Sequence, residues 1–299
     1  MRFIKFAVLA ALFALPVSSA DAGIVSSLLT SNGVQDSLVD QSVDSFLDVD
    51  QSGTFNLGDV LFGIAQIDQV QPDGGASITV APARIGVAFA AEVTSFESEG
   101  SLFGQDFFSV EFGAVTSAGN TLNDLLGAGF AGTFDNDTIF AVFERSAGGA
   151  LLDVPDTPGT ADALQIFTDV GADAFDFVFS GGLEAGDFFE ATISFNSTTG
   201  DFVGGDQRGG FTITNSTIGT VGTDFLPVDV TRLDGTTVSS HDITIDVGSN
   251  ISPADGLQLT NGFAFENNVQ FSINTVPDPT SALTFLGVFA ICVARRRTV

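Results

Sequence analysis

The sequence predicts an all-β protein, an antiparallel β-sandwich or jelly-roll-like body with one or two short helices. From about residue 78 onwards, apolar and polar residues alternate over short stretches, which is typical of strands with one buried face. Clusters of Gly, Asp and Pro separate these stretches, as turns between strands do. Many short strands joined by such turns are the pattern of sandwiches and jelly rolls.

The clearest alternation runs over 242–247, where Ile243, Ile245 and Val247 share one face. Turn signals occur at 72–75, 146–149, 204–206 and 234–235, and short helices are predicted at 121–126 and 160–168. Three further runs each place their apolar residues on one face: Phe189, Ala191, Ile193 and Phe195; Phe175, Phe177 and Phe179; and Phe263, Phe265, Val269, Phe271 and Ile273.

The N-terminus has the three parts of a secretory signal peptide. Residues 1–5 (MRFIK) are basic, residues 6–15 are apolar, and residues 16–22 are rich in small side chains. The triplet ADA at the end of the third part predicts cleavage before Gly23. Cleavage two residues earlier and an uncleaved anchor are the alternatives.

Composition limits the kinds of partner. The 299 residues include 37 acidic and 9 basic side chains, and the formal net charge is -28. Such a surface repels nucleic acid and anionic headgroups, so we expect no nucleic-acid partner. It suits divalent cations, although acidity also simply keeps an exported protein soluble. The chain has one Cys, 31 Phe and no Trp or Tyr, so the core must hold the fold without a disulfide.

A short acidic segment, residues 48–59 (DVDQSGTFNLGD), carries the most specific pattern of the body. It resembles an EF-hand loop that ends in Asp, as in dockerins. The resemblance implies a Ca²⁺ site, with Gly53 making the sharp turn and Phe55 anchoring the loop on the core. The implied oxygen ligands are Asp48, Asp50, Ser52, the carbonyl of Thr54, Asn56 (through water in some loops) and Asp59.

The flanks of this segment depart from an EF-hand. Asp59 is one methylene shorter than the Glu that usually ends the loop, and residues 60–64 fit a strand as well as a helix. The alternative is an Asp- and Gly-rich turn between two strands. Upstream, Val39, Val43 and Leu47 fall at helical spacing, which favours a short helix there.

No residue pattern in the body predicts an active site. His241 is the sole histidine, and Asp242 beside it would point to the opposite face of an extended strand. We therefore predict a solvent-facing strand histidine rather than part of a catalytic triad. Pairs of carboxylates could serve a glycosidase, but 37 acids produce such pairs by chance.

The C-terminus has three parts in a fixed order. Pro277, Asp278 and Pro279 form a hinge, residues 282–294 are uncharged and mostly apolar, and three arginines follow: Arg295, Arg296 and Arg297. The uncharged stretch is shorter than the roughly 20 residues of a permanent anchor. This order resembles the PEP-CTERM sorting signal of exported bacterial proteins, which usually has Glu between the prolines. A plain membrane anchor is the alternative.

That resemblance implies a short transmembrane helix, processing by an exosortase-like enzyme, and association with extracellular polysaccharide. The predicted organisation is a signal peptide at 1–22, a secreted β-rich domain at 23–274 and a sorting signal at 275–299. The predicted function is a non-enzymatic, calcium-stabilised protein of the cell surface or extracellular matrix, membrane-anchored before processing. A secreted hydrolase using two carboxylates and a calcium-dependent adhesin are the alternatives.

Overall fold

The structure is a computed structural model, and it describes most of the chain between residues 36 and 275. The described residues are 36–72, 76–80, 85–117, 119, 121–126, 134–135, 137–145, 175–218, 221, 224–245, 249–259 and 262–275. The predicted signal peptide, the predicted helix at 160–168 and the predicted sorting signal lie outside them. Within the described ranges, no helix is long and apolar enough to cross a membrane.

Strands dominate the described residues. The one described α-helix, α1, spans Leu122–Leu126. The strands are β1 Asp36–Leu47, β2 Val60–Gln71, β3 Ile78–Thr79, β4 Ile85–Leu102, β5 Gln105–Gly113, β6 Thr138–Arg145, β7 Phe175–Gly182, β8 Phe188–Asn196, β9 Phe202–Ser216, β10 Val228–Thr231, β11 Thr237–His241, β12 Ile243–Ile245, β13 Asn250–Leu259, β14 Gly262–Asn268 and β15 Gln270–Ile273.

Two long strands, β4 and β9, organise the sheet. The pairings run β1–β2–β4–β6–β7–β9–β12–β15 and return to β1, so the strands form a closed circuit. Strands β5 and β8 make a second bridge between β4 and β9, and β13 and β14 make another between β9 and β1. Every pairing between described strands is antiparallel, and the prediction of an antiparallel all-β body is confirmed.

Phenylalanine, valine and isoleucine build most of the core, as the composition indicates. Of the runs predicted to alternate, Phe189, Ala191 and Ile193 are buried on β8, and Ile243 and Ile245 are buried on β12. The phenylalanine rings of the core pack in edge-to-face and stacked pairs, which fill space without polar atoms. The aromatic chain near the acidic segment comprises Phe46, Phe55, Phe96, Phe108, Phe112, Phe189, Phe195 and Phe202.

The helix prediction for 121–126 is confirmed by α1. Thr121 and Asp124 form a reciprocal cap, in which the Thr121 hydroxyl donates to Asp124 Oδ2 at 2.6 Å and accepts from the Asp124 N–H at 3.3 Å. The same hydroxyl contact lowers the pKa of Asp124.

The short helix predicted from the spacing of Val39, Val43 and Leu47 is wrong, because these residues lie in strand β1. This strand pairs along one edge with β2 and along the other with β14 and β15. Pairing on both edges satisfies the backbone of β1 and overrides a weak local preference for helix.

Candidate metal centre

The acidic segment 48–59 connects β1 to β2 and is fixed to β4. The N–H of Gly58 donates to the Val93 carbonyl at 2.9 Å, and the Val93 N–H donates to the Asp59 carbonyl at 2.8 Å. Both neighbours of the segment are therefore strands, so its likeness to an EF-hand is confined to the loop itself. This is the setting of the alternative interpretation, a turn between strands.

Phe55 anchors the loop on the core, as predicted. Its ring is 7% exposed and lies 4.3 Å from the ring of Phe46 and 5.3 Å from that of Phe96, centroid to centroid. Both contacts are edge-to-face, the arrangement that the quadrupoles of aromatic rings favour. This buried side chain and the backbone hydrogen bonds to β4 together hold the loop on the body.

The sharp turn expected at Gly53 is present, with φ of +74°. A residue with a Cβ rarely adopts this left-handed conformation. Asp48 stabilises the turn, because its Oδ1 accepts the Ser52 N–H at 3.0 Å and its Oδ2 accepts the Gly53 N–H at 2.7 Å. The backbone thereby points the side chains of the following polar residues toward one another.

Three carboxylates converge in this loop. One oxygen from each of Asp48, Asp50 and Asp59 lies within 4.8 Å of the other two. Asp50 is exposed, Asp48 is half-buried and Asp59 is buried. Among the described residues, these three form the group of acidic, His or Cys side chains that are close enough together to hold a metal ion.

Asp59 is the interior member of the cluster. Its Oδ1 accepts the Val49 N–H at 3.1 Å, and its Oδ2 accepts the Asn56 N–H at 2.8 Å. Burial raises the pKa of Asp59, and the charges of Asp48 and Asp50 raise it further. At the exposed edge, hydrogen bonding to the Ser52 hydroxyl lowers the pKa of Asp50.

The amide of Asn56 lies among the remaining oxygens of the predicted ligand set. Its Nδ2 donates to Ser52 Oγ at 2.7 Å, to the Thr54 carbonyl at 3.1 Å and to Asp50 Oδ1 at 3.4 Å. Ser52 Oγ, the Thr54 carbonyl and Asp50 Oδ1, all predicted ligand atoms, therefore converge on the Asn56 side chain. The group that they surround is the Nδ2 donor of that side chain.

A second polar site is buried in the body, and the sequence did not predict it. His241, predicted to face solvent, has a fully buried side chain. Its Nδ1 lies 2.9 Å from Oδ1 of Asp187, and the Asp187 side chain is 4% exposed. The other oxygen of Asp187 accepts the Thr212 N–H at 2.8 Å and the Glu184 N–H at 2.9 Å. The prediction of an exposed histidine is wrong because the turn before β8 brings a carboxylate onto it.

The surroundings of His241 are those of a packed side chain. The ring lies edge-to-face with Phe188 at 5.5 Å. A Cβ on Gly210 would come within 2.4 Å of His241 Cδ2, so only glycine allows the ring to lie against this backbone. Nε2 is buried and makes no hydrogen bond in the described part of the chain, so no described hydroxyl completes a triad.

Asp242 lies at the bend between β11 and β12 rather than within an extended strand. Its Oδ2 accepts the Ile213 N–H at 3.0 Å. Burial raises the pKa of Asp242, and the nearby charge of Asp187 adds to the rise.

An ion pair next to this site holds the hairpin of β10 and β11 on β8. Arg232 Nη2 donates to Glu190 Oε2 at 2.9 Å, and the Leu233 N–H donates to Glu190 Oε1 at 2.6 Å. The guanidinium also lies 4.4 Å from the centre of the Phe188 ring. Hydrogen bonding to Glu190 raises the pKa of Arg232.

Comparison with known proteins gives no family for this chain. No protein-family model matches it, and no curated protein sequence is similar to it. The residues of the predicted sorting signal, Pro277, Asp278, Pro279 and Arg295 to Arg297, lie outside the described part of the chain. Their role stays a prediction.

Proposed function

We propose that this chain is an exported, non-enzymatic protein of the cell surface or matrix whose body is stabilised by Ca²⁺ bound to the loop 48–59. The convergence of Asp48, Asp50 and Asp59 within 4.8 Å supports this proposal. Three ionised carboxylates so close repel one another. A divalent cation reverses the sign of that interaction.

The ligand set suits a hard cation, because every member is an oxygen. Asp48, Asp50, Ser52, the Thr54 carbonyl and Asp59 would hold the ion directly. Asn56 would join them by turning its amide so that Oδ1 faces the ion in place of Nδ2. Calcium accepts six to eight oxygens in flexible geometry, whereas Mg²⁺ demands a tighter octahedron.

Export rests on the two ends of the chain. The leader at 1–22 supports secretion, and the likeness of 275–299 to a PEP-CTERM signal supports handling by an exosortase-like enzyme after transient membrane anchoring. The same likeness supports association with extracellular polysaccharide. In this proposal the body between the two ends is a sandwich-like or jelly-roll-like module exposed outside the cell.

Thermal unfolding of the purified protein tests the calcium site. Millimolar Ca²⁺ should raise the Tm, because a ligand bound only by the folded state stabilises it by mass action. Mg²⁺ should raise the Tm less. The double substitution Asp48→Ala with Asp50→Ala should remove most of the calcium response.

The matched control is Asp201→Ala with Asp229→Ala, which removes two exposed carboxylates outside the loop. It should keep the full calcium response. If Ca²⁺ and Mg²⁺ act equally and both double variants respond alike, the ions merely screen an acidic surface. The loop would then be a turn without a bound ion.

A further inference from the structure

The hairpin of β4 and β5 ends in an apolar tip that lies beside the turn between β8 and β9. Leu102 pairs with Gln105, so the turn consists of Phe103 and Gly104. Leu102 is 58% exposed and Phe103 is 94% exposed. Residues 97–109 are called the distal hairpin below.

Phe103 is an unfavourable residue for this turn. Its φ is +53°, and that of Gly104 is +79°. A two-residue turn with both φ values positive is of the type I′ class, which strongly prefers Asn followed by Gly. A bulky side chain in the left-handed region is an outlier that marks a tight turn or a strained site, and strained residues cluster at functional sites.

Burial does not offset the conformational penalty, since a side chain that is 94% exposed gains almost nothing from packing. Neither the backbone nor the core therefore accounts for phenylalanine at position 103. Its remaining use is contact with another molecule.

The distal hairpin presents this tip rigidly. Strand β5 pairs with β8 from Gln105 to Phe112, and Phe96 stacks on Phe108 at 4.6 Å with an interplanar angle of 11°. At the tip, the Ser197 N–H donates to the Gly104 carbonyl at 3.0 Å. A pre-ordered tip loses little conformational entropy when it is bound.

The surroundings of the tip carry charge of one sign. Glu97, Glu99 and Asp106 lie within the distal hairpin, and this stretch contains no Lys or Arg. Asp201 follows the neighbouring turn between β8 and β9. An apolar tip within an acidic rim is repelled by anionic lipid and fits an apolar pocket that has a basic rim.

We propose that Leu102 and Phe103 form a docking tip for a partner protein whose apolar pocket is ringed by Lys and Arg. The aromatic ring would fill the pocket as a central anchor. The acids of the distal hairpin would face the basic rim and speed association at low salt. This proposal rests on the hairpin alone and does not depend on calcium binding or on the sorting signal.

Site-specific cross-linking and direct binding test the tip. The photoreactive residue p-benzoylphenylalanine, placed at position 103 of the full chain in the producing cells, should give one discrete protein adduct. The protein identified in that adduct, once purified, should bind the unmodified chain. Phe103→Asn should weaken this binding at least about tenfold, because the anchor is lost.

Two further measurements separate the docking role from folding. Phe103→Asn should leave the Tm unchanged or higher, since Asn-Gly suits the turn. Ile78→Ser, which removes an exposed apolar side chain from β3, should leave binding unchanged. Binding should also weaken as salt rises.

The proposal would be overturned by any of four results. These are adducts only with lipid, adducts only with a second copy of this chain, no adduct at all, or equal binding of the identified protein to Phe103→Asn. Lipid adducts would instead indicate a membrane-inserting tip, and self-adducts would indicate an oligomer contact.

Discussion

The loop 48–59 and the buried site of His241 both consist of carboxylates with polar partners, yet they are built in opposite ways. In the loop, the partners of Asp48 are four and five residues away, and the cluster faces the surface. At His241, the partner is Asp187, 54 residues earlier, and both side chains are buried. A cluster within one segment can be predicted from the sequence, and this one is accessible to an ion. A pair far apart in the chain cannot be predicted from a local pattern, and this one is buried in the fold.

The sharpest test of the local cluster is the loss of its anchor. Phe55→Ala should lower the free energy of unfolding by about 3 kcal/mol, as for other large-to-small changes in a core. It should also abolish the calcium-induced rise in Tm, although all six predicted ligand residues remain. Denaturant unfolding with and without Ca²⁺ measures both effects.

Leu57 gives the matched control for Phe55, because it is an apolar residue of the same loop that is 62% exposed. Leu57→Ala should change stability by less than about 0.5 kcal/mol and keep the calcium response. A normal response in Phe55→Ala would show that the loop forms its site without anchorage.

The buried pair should matter to folding whether or not calcium is present. Asp187→Ala leaves His241 Nδ1 and the N–H groups of Thr212 and Glu184 without their acceptor. Such orphaned donors cost about 1–3 kcal/mol each when buried. Glu184 is exposed and its N–H can bond water instead, so a loss of about 2–3 kcal/mol is expected from His241 and Thr212. Equilibrium unfolding in EDTA and in Ca²⁺ should give the same loss.

Asp201→Ala is the corresponding exposed control, for which little change is expected. A loss below about 1 kcal/mol for Asp187→Ala would mean that water enters and replaces the carboxylate. A loss that depends on calcium would mean that the two regions are coupled.

The smallest expected effect is a dependence on pH. Burial raises the pKa values of Asp59 and Asp242 above the ordinary value of 3.8, so both acids hold a proton more tightly when folded than when unfolded. Their contributions are therefore fully favourable below 3.8 and fall as pH rises through the raised pKa.

Calcium should separate these two acids. In the proposed function the ion binds ionised Asp59, so Ca²⁺ should reverse the pH dependence that Asp59→Asn removes. The dependence removed by Asp242→Asn should be the same with and without the ion. The measurement is the Tm of each variant relative to the unmodified chain between pH 4 and pH 7, in EDTA and in Ca²⁺. Equal behaviour of the two variants in Ca²⁺ would place no ion at Asp59.

The same division between local and distant interactions explains what the sequence could predict. Alternation on β8 and β12 identified the strands, but Phe188, Glu190 and Thr244 on their other faces are buried as well, so these strands have no solvent-facing side. Strand β1 was missed because its conformation is set by pairing with β2, β14 and β15 rather than by its own spacing. A pattern within one segment carries no record of its neighbours in space.

The sites divide in the same way. The loop residues 48–59 lie within one segment, so their spacing was informative, and Gly53 and Phe55 have the expected conformation and burial. The partner of His241 required the registers of both β8 and β12 against β9, which no local pattern contains. Phe103 could have been found from its position before Gly104, had the hairpin been recognised first.

The direction of β1 places the loop 48–59 and strand β15 at opposite ends of this strand. Its first residues pair with β15, two residues before the last described position, Thr275, and its last residue leads into the loop 48–59. Twelve strand residues span about 40 Å at 3.3 Å each. In a chain tethered through its C-terminal end, as proposed, the loop 48–59 would lie at the opposite end of β1 from the tether. The length of β1 would be the upper limit of that separation.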